Sequence, residues 1–197
     1  SKISQLIERQ VGIMGRLTED LLDVSRITRG QINLQLEELD VRDIVHDVGE
    51  QLAPMLASKQ QTLRVDIPAL PARVRGDRIR LGQVLGNLVA NASRYSPAQL
   101  PIEVAVTVTE EHAIVSVSDE GKGIADSMMP ALFDLFSQAE AGTDRKDSGI
   151  GMGLAIVKGL VDLHGGSVTA ASAGLGQGSR FTFALPLAER SRSRAAA

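Results

Sequence analysis

The stretch from Asp77 to Pro97, DRIRLGQVLGNLVANASRYSP, constrains the fold of this chain more than any other. Asp77 is placed to cap a helix, because its carboxylate can accept hydrogen bonds from the free amides of the first turn. Pro97 disfavours the helical conformation at Ser96 and so ends the helix. The apolar residues between these ends recur at helical spacing and form one face, which consists of Leu81, Val84, Leu85, Leu88 and Ala92. The stretch therefore predicts a single helix with one buried side.

A polar line runs beside this apolar face and consists of Arg80, Asn87, Asn91 and Arg94. Asn87 and Asn91 are one helical turn apart, so their amides lie one above the other on the same edge. Since Asn is a mediocre helix former, the pair favours a use for its oxygens there. Gly82 and Gly86 each cost about 1 kcal/mol relative to Ala, which close approach of another segment or a ligand would offset. The alternative is that both Asn side chains are solvated and that the glycines only permit tight packing.

Composition restricts the class of protein. With 197 residues, 43% hydrophobic and 23% charged, the chain is globular. A formal net charge of -3 gives no reason to expect nucleic acid as a partner. The lack of cysteine excludes disulfides and thiolate sites. No apolar run is long enough to cross a membrane, and no signal peptide is visible, so no membrane contact is expected. Because the chain starts inside a helical pattern, we expect it to be part of a longer protein.

A long amphipathic helix is predicted for residues 3–28. Its apolar stripe is broader than a two-stranded coiled coil needs and suits one helix of a four-helix bundle. At 1.5 Å per residue this helix would be about 40 Å long. Because nothing in the next segment is long enough to cover it, we expect its partner to be another chain or a helix outside this sequence.

The rest of the chain alternates short strands and helices. Strands are predicted at 32–39, 62–67, 73–75, 102–108, 113–118, 167–171 and 179–185, and helices at 41–59, 127–136 and 152–163. Tight turns join neighbouring strands, which favours an antiparallel or mixed sheet with helices on one face, a two-layer α+β fold. Residues 137–148 are polar without periodicity and predict a mobile loop, and residues 189–197 predict a disordered tail or linker.

A carboxylate follows the predicted strand 113–118. Asp119 precedes Gly121 and Gly123 in the sequence DEGKGI. A carboxylate at a strand end can accept a hydrogen bond from a donor such as the adenine amino group, while glycines let the backbone approach a ring closely. The alternative is an ordinary turn, and this motif alone does not decide between them.

A second glycine cluster, Gly149, Gly151 and Gly153, opens the predicted helix 152–163. Free backbone amides at a helix N-terminus favour phosphate. It is not a Walker A loop, because no Lys-Ser/Thr follows, nor a dinucleotide fingerprint, because a polar loop precedes it in place of a strand. A third stretch, residues 174–178, predicts a hairpin turn between the last two strands.

Taken in order, these motifs resemble those of bacterial sensor histidine kinases. The helix 77–97 resembles their N box, DEGKGI the first glycine box, ALFDLFSQ the F box, SGIGMGLAIVKGLVDLHGG the second glycine box and GQGSRFTFALP the final one. Five ordered motifs make a specific match. Residues 1–31 resemble the last helix of the dimerisation and phosphoacceptor domain. For residues 32–188 the resemblance implies the Bergerat ATP-binding fold, a mixed sheet covered on one face by three helices.

The resemblance also implies a site for ATP and Mg²⁺. Asp119 would bind the adenine amino group, Asn91 would coordinate magnesium with Asn87 beside it, and Arg94 would reach the phosphates. Asn87, Asn91 and Arg94 would thus be the catalytic residues. The full set that the resemblance implicates in binding is Asn87, Asn91, Arg94, Tyr95, Asp119, Gly121, Gly123, Ile124, Phe136, Arg145, Lys146, Gly149, Gly151, Met152, Gly153 and Leu154.

Asn87 distinguishes between two reactions that the resemblance allows, phosphoryl transfer and ATP hydrolysis. Related ATPases of this fold, such as type II topoisomerases and mismatch-repair proteins, carry at this position a Glu that activates water. An amide cannot act as a general base at neutral pH, so Asn87 favours transfer to a protein nucleophile over hydrolysis. A small departure from the family pattern is Ser148, where a further glycine is common.

The larger departure concerns the phosphoacceptor. In the family this histidine lies on the first helix of the dimerisation domain, and no such segment is present in this sequence. We expect structural roles for His46, His112 and His164, because none has metal-ligand spacing; His164 at a helix C-terminus would suit a cation.

The resemblance therefore predicts the catalytic domain of a cytoplasmic protein-histidine kinase. Its expected partners are a second copy, bound through the N-terminal helix, and the receiver domain of a response regulator. One alternative is a serine kinase of the anti-sigma type, which the N-terminal helix disfavours. Another is a non-catalytic nucleotide-sensing interaction module, which the intact motifs disfavour.

Overall fold

Residues 2–137 and 151–188 are described in the computed structural model. The helices are α1 (Lys2–Thr28), α2 (Val41–Ser58), α3 (Arg78–Tyr95) and α4 (Gly153–Leu163), with a short 3₁₀ helix at Asp126–Ala131. The strands are β1 (Glu37–Asp40), β2 (Leu63–Asp66), β3 (Arg73–Gly76), β4 (Ile102–Val108), β5 (His112–Asp119), β6 (Ser167–Ala171) and β7 (Ser179–Pro186). The predicted loop 137–148, except for Ser137, and the predicted tail 189–197 lie outside the described residues. No helix in the described ranges is long and apolar enough to cross a membrane.

The main sheet has five strands in the order β2-β4-β5-β7-β6. β2 pairs with β4 in parallel and the other neighbours pair antiparallel, so the sheet is mixed, as predicted. β1 and β3 form a separate antiparallel pair. The predicted hairpin between β4 and β5 is confirmed, and the N–H of Thr109 donates to the carbonyl oxygen of His112 across its turn at 2.9 Å.

One face of the sheet is apolar and buried. Residues paired directly across antiparallel strands share a face. Two buried rows cross the sheet in this way, Val104–Val117–Phe181 and Val106–Val115–Phe183. The helices α2, α3 and α4 contact these strands and share one core with them. The α+β fold with a helical layer on one face is therefore confirmed.

α3 lies at the centre of the helical layer, since it contacts both α2 and α4. Its predicted apolar face is almost fully buried and consists of Leu81, Val84, Leu85, Leu88 and Ala92. Asp77 caps the helix as predicted, because its Oδ1 accepts from the backbone N–H of Arg80 at 3.1 Å. Ser96, before Pro97, has left the helical conformation, with φ −95° and ψ 145°.

His164 connects the start of α3 to the end of α4. Its Nε2 accepts from the backbone N–H of Asp77 at 3.0 Å, and its Nδ1 lies 2.7 Å from the carbonyl oxygen of Leu160. These contacts fit the neutral tautomer that carries its proton on Nδ1. The role of His164 is thus structural, as expected, but it is that of a neutral link between two helices and not of a cation at a helix end.

Two predicted elements are shorter in the structure. The predicted strand 32–39 is paired only from Glu37, because its partner β3 ends at Gly76, directly opposite. The predicted helix 127–136 is only the 3₁₀ helix Asp126–Ala131. Pro130 lacks the N–H that a continuing α-helix needs, which explains why this segment stays short.

α1 is covered along only part of its length. Val24 is buried, and Leu17 and Ile27 pack against the core. The C-terminal half of this helix contacts α4, a contact within the chain that the sequence analysis did not predict. In its N-terminal half several apolar side chains are exposed: Ile3, Ile7, Val11 and Met14.

The carboxylate of Asp40 connects the start of α2 to the segment before β3. Its Oδ1 accepts from the backbone N–H groups of Arg42 at 3.0 Å and Ala72 at 3.2 Å, and the Arg42 guanidinium binds both carboxylate oxygens. Burial raises the pKa of Asp40, but the hydrogen bonds and the positive charge of Arg42 outweigh it, so the pKa lies below its usual value.

The glycines of two helices should respond differently to substitution. A Cβ at Gly86 would meet no atom within 4 Å, whereas a Cβ at Gly159 would lie 2.5 Å from Cγ2 of Ile27. Gly86→Ala should therefore stabilise the fold by about 0.5–1 kcal/mol. Gly159→Ala, the matched control, should destabilise it, because Ile27 has to move. Chemical denaturation measures both, and a destabilised Gly86→Ala variant would contradict the first expectation.

Asp40→Asn tests the ion pair, because Asn caps a helix as well as Asp does. At neutral pH it should destabilise the fold by no more than about 1 kcal/mol, since the pair is partly solvated. The folded-state pKa of Asp40 is lowered, so the carboxylate stabilises the fold above its unfolded-state pKa of about 3.9, and this is lost as the pH falls through the folded-state pKa. Denaturation curves of both proteins should therefore converge below about pH 4; a gap that widens on acidification would rule out this account.

Candidate functional site

A cavity of about 570 Å³ lies between α3, the loop after β5 and the start of α4. This volume is in the usual range for small-molecule sites, about 300–1,000 Å³. α3 supplies one side of it with Asn87, Ala90, Asn91, Arg94 and Tyr95. From Asn87 to Tyr95 the helix rises by about 12 Å, so the cavity has two distinct ends.

The Asp119 end of the cavity also contains Tyr95, Gly123 and Ser179. Asp119 accepts from the backbone N–H of Gly121 at 2.8 Å through Oδ1, and from the hydroxyl of Ser179 at 2.5 Å through Oδ2. The hydroxyl of Ser96 also donates to Oδ1, at 3.5 Å. These three bonds fix the plane of the carboxylate. Since an ionised carboxylate has about four acceptor positions, Asp119 can accept a further hydrogen bond from a ligand.

The loop 174–178 packs against the Asp119 end of the cavity. Two backbone hydrogen bonds of 2.7 and 3.1 Å join it to the loop that carries Gly121 and Gly123. Gly123 has φ of +68°, and a Cβ there would lie 2.0 Å from the carbonyl oxygen of Gly174, so only glycine fits. The predicted hairpin turn between β6 and β7 is confirmed, but its contact with the first glycine loop was not predicted.

The Asn87 end of the cavity contains Asn87, Asn91 and Gly153. The Asn87 Nδ2 lies 3.5 Å from the carbonyl oxygen of Gly153, which leaves the amide oxygen for other contacts. Within the described residues, no hydrogen bond engages the Asn91 side chain. Two amide oxygens on one helix edge suit a hard cation that takes its other ligands from phosphate and water. No group of three or more His, Cys, Asp or Glu in the described part of the chain could hold a metal alone.

The start of α4 lies at the same end. Met152, the residue before the helix, forms no side-chain cap. The first N–H groups of α4 therefore suit an anion. Gly151 has φ of +76°, and a Cβ there would lie 2.7 Å from the carbonyl oxygen of Ser137, so this position also requires glycine.

The wall of the cavity contains both charged and apolar side chains. Arg94 and Lys122 are the cations in the described lining, and the Lys122 Nζ lies 4.0 Å above the Tyr95 ring, a cation–π contact. The apolar part of the wall consists of Ile124, Met128, Leu132, Met152, Leu154, Leu175 and Phe181. The cavity therefore combines a surface for a flat ring, a hydrogen-bond acceptor and cations for an anionic group.

Most of the residues that the sequence implicates line this cavity: Asn87, Asn91, Arg94, Tyr95, Asp119, Gly123, Ile124, Gly151, Met152, Gly153 and Leu154. Gly121 lies behind the wall, where a Cβ would meet the carbonyl oxygen of Tyr95 at 2.4 Å. Phe136 is outside the lining and 59% exposed. Arg145, Lys146 and Gly149 lie outside the described residues.

The lining also contains residues that the sequence did not point to, among them Leu17, Asp20, Lys122, Leu175 and Ser179. Lys122 lies between two predicted glycines, and Ser179 directly follows the last glycine stretch, so both were within reach of the motif analysis. Leu17 and Asp20 belong to α1, and only the docking of that helix brings them to the cavity.

A mixed sheet with helices on one face, a carboxylate at a strand end and amides on the central helix define a nucleotide-binding domain of the ATPase class. Residues 76–189, more than half of the 197, match the family described as "Histidine kinase-, DNA gyrase B-, and HSP90-like ATPase". The chain belongs to this family, whose domain binds ATP.

Its curated relatives are signalling kinases. Two-component system protein A of Emericella nidulans is 32% identical, with 95% of this chain and 28% of that protein covered. Sensor histidine kinase RppB of Synechocystis sp. is 32% identical, with 92% of this chain and 40% of that protein covered. The chain thus spans less than half the length of these relatives.

Solved structures agree with this placement. Histidine kinase AdeS of Acinetobacter baumannii superposes with a TM-score of 0.76 at 28% identity, covering 93% of this chain and 83% of that chain. Full-length ShkA in complex with AMPPNP superposes with a TM-score of 0.76 at 30% identity, covering 88% and 35%. The predicted fold, with its long N-terminal helix, matches that of histidine kinase ATP-binding domains.

Proposed function

We propose that this chain is the ATP-binding catalytic domain of a two-component sensor histidine kinase. It transfers the γ-phosphate of ATP to a histidine on a dimerisation helix outside this sequence, for onward transfer to an aspartate of a response regulator. The observation that carries the proposal is the cavity itself, which has the Asp119 carboxylate at the end near Tyr95 and the amides of Asn91 and Asn87 about 6 and 12 Å farther along α3.

The Asp119 end fits an adenine base. Asp119 accepts from the exocyclic amino group, and the apolar wall and the Tyr95 ring contact the faces and edges of the base. Gly123 allows the backbone close to the ring because no side chain intervenes. The binding of AMPPNP by ShkA, a similar structure, supports an adenine nucleotide as the ligand.

The Asn87 end fits phosphates and Mg²⁺. Asn91, with Asn87 beside it, offers amide oxygens to the cation, which neutralises phosphate charge when bound. Arg94 and the first N–H groups of α4 bind phosphate oxygens. Arg145, Lys146 and Gly149 remain proposed contributors from the segment that follows Ser137. The residues of this chain thus bind and position the nucleotide. The nucleophile is the acceptor histidine, which lies outside this sequence.

Asn87 favours transfer over hydrolysis. Its amide cannot take a proton from water at neutral pH, so the described cavity provides no general base at that position. Phosphoryl transfer depends mainly on positioning and charge stabilisation, which an acceptor histidine presented in line satisfies without a base on this domain.

We propose a homodimer formed through α1, because the exposed apolar side chains of its N-terminal half form a surface that suits a helix bundle. On this basis residues 1–31 form part of the dimerisation domain, residues 32–188 the catalytic domain and residues 189–197 a linker. A receiver domain is the expected second partner. Because ATP is a cytoplasmic substrate, we place the domain in the cytoplasm.

Asp119→Asn should weaken the binding of ATP. Exchanging the carboxylate for an amide removes a charge-assisted hydrogen bond, worth about 1.5–3 kcal/mol or about one to two decades in affinity. Titration calorimetry measures the change, and Asp66→Asn, the same exchange on the edge strand β2, is the matched control. Equal affinities of wild type and Asp119→Asn would refute the assignment of Asp119 to adenine.

The chain alone should not phosphorylate itself. Both ring nitrogens of His164 have protein partners, and His112 begins β5. On α2, the His46 Nδ1 lies 3.6 Å from a carboxylate oxygen of Glu50. Incubation with γ-labelled ATP should therefore leave no acid-labile label on this chain, whereas a separately supplied helix pair bearing an acceptor histidine should become labelled. Label on the chain that disappears in a His46→Gln variant would show this acceptor assignment to be incorrect.

A further inference from the structure

A buried polar pair lies at the C-terminus of α3, outside the wall of the cavity. It consists of Gln61, which follows α2, and Ser93, in the last turn of α3. Their exposed fractions are 4% and 2%, and neither residue lines the cavity. The Ser93 hydroxyl donates to the Oε1 of Gln61 at 2.6 Å. Because buried polar groups are costly without partners, this bond fixes the position of both side chains.

The amide nitrogen of Gln61 faces three backbone carbonyl groups. Its Nε2 lies 3.0 Å from the carbonyl oxygen of Pro97, 3.3 Å from that of Ser93 and 3.4 Å from that of Ser96. Carbonyl oxygens only accept, so the nitrogen of the side-chain amide must lie on this side. The three acceptors share its two hydrogens. Gln61 thus bridges the point at which α3 ends and the chain changes direction.

Pro97 explains why the end of α3 needs these donors. In a continuing helix the carbonyl oxygen of Ser93 would accept from the backbone N–H of residue 97, which proline lacks. Gln61 supplies one replacement, and the Nζ of Lys59 supplies another at 2.7 Å. The segment between α2 and β2 therefore holds the last turn of α3 in place.

The same turn of α3 forms part of the Asp119 end of the cavity. The carbonyl oxygen of Tyr95 accepts from the backbone N–H of Lys122 at 3.1 Å. A Cβ at Gly121 would lie 2.4 Å from this oxygen, so the loop packs directly against the helix end. The Ser96 hydroxyl donates to Asp119 at 3.5 Å. A shift of the helix end therefore moves the surface to which we assign the adenine base.

We propose that Gln61 is a positioning residue of the nucleotide site. It touches no ligand and acts through the last turn of α3, which sets the distance between Tyr95 and Asp119. The inference rests on the proposed binding of ATP. It implies that substitution of Gln61 weakens the contacts with the base and leaves the contacts with the phosphates unchanged.

The effect stays at the Asp119 end because other contacts hold the rest of α3. Leu85 and Leu88 are 1% and 0% exposed and fix the turns that carry Asn87 and Asn91. These turns precede Pro97, so their carbonyl groups have helical donors and do not need Gln61.

The first experiment measures the affinities of Gln61→Met for adenosine and for ADP with magnesium by titration calorimetry. Met is likewise unbranched but brings neither the donor nor the acceptor of the amide. Both affinities should fall by about two- to ten-fold, the effect of about one hydrogen bond, because both ligands contain the base. The ratio of the two affinities should stay at its wild-type value.

Val45→Ala is the matched control for a loss of stability. Val45 is 1% exposed, is not in the lining and lies about 20 Å along α2 from the end next to Gln61. Chemical denaturation should show that Val45→Ala is destabilised, because it leaves a cavity in the core. Its affinities for both probes should nevertheless equal those of the wild type.

The second experiment separates positioning from stability within the pair. Ser93→Ala removes only the hydroxyl and should lower both affinities in the same direction by a smaller factor. Combined with Gln61→Met it leaves neither side chain of the pair without its partner, so part of the lost stability should return. The affinity for adenosine should remain low, because the carbonyl groups of Ser96 and Pro97 still lack their donor. Recovery of affinity together with stability would show a merely structural role.

Hydrogen exchange tests the positioning without any nucleotide. The Lys122 N–H is bonded to the carbonyl oxygen of Tyr95, so its exchange rate reports how often this contact opens. The rate should rise in Gln61→Met and stay unchanged in Val45→Ala. An unchanged rate in Gln61→Met would refute the coupling between the pair and the loop.

The outcomes separate the two proposals. Binding of both probes by the wild type with unchanged affinities in Gln61→Met overturns the inference and leaves the proposed function standing. A similar fall in Val45→Ala, or a fall for ADP alone, also overturns it, because the effect would then come from stability or from the phosphate contacts. A wild type that binds neither probe refutes the proposed function and the positioning role with it.

Discussion

The burial of one face of α3 is the constraint on which both the fold and the site depend. Leu85 and Leu88 are packed between the sheet and the two neighbouring helices, so the helix cannot rotate about its axis. A rotation that buried Asn87 would expose a leucine, at a cost of about 1.5–3 kcal/mol for each side chain. The amides of Asn87 and Asn91 are therefore oriented mainly by the hydrophobic packing of the neighbouring face. Among the described residues, the hydrogen bonding of these two side chains is limited to the 3.5 Å contact of Asn87 with the carbonyl oxygen of Gly153.

The glycines of the site are required for different structural reasons, although the sequence motifs do not distinguish them. Gly123 and Gly151 have positive φ and press against carbonyl oxygens of neighbouring loops, so any side chain is excluded by backbone geometry. A Cβ at Gly153 meets no described atom within 4 Å. The described part of the fold therefore does not require glycine at position 153, whereas a ligand that approaches the N-terminus of α4 would favour it there.

The features that the sequence predicted well are local ones. α3 could be predicted with both ends, because its cap, its periodicity and Pro97 all lie within the stretch itself. The start of β1 could not be predicted, because it depends on where the antiparallel partner β3 ends. The hydrogen bond between Asp119 and Ser179 could not be predicted either, because Ser179 is 60 residues away along the chain and is brought to Asp119 by the pairing of β5 with β7. The docking of α1 against α3 depends on the buried Asp23, which accepts hydrogen bonds from Arg80 and Gln83 on a distant helix, and periodicity gives no signal for such a contact.

α1 therefore has two surfaces with different requirements. Its N-terminal half exposes apolar side chains that a partner helix can cover, and its C-terminal half is fixed to α3 and α4 through Asp23 and Ile27. Near the junction of the two halves lie Gly12 and Gly15, each of which weakens the helix by about 1 kcal/mol relative to Ala. A helix bends most easily where its intrinsic stability is lowest, so the junction can absorb a change in one half without breaking the contacts of the other. The proposed assembly through the first half and the observed docking of the second would thus be adjusted separately in one continuous helix.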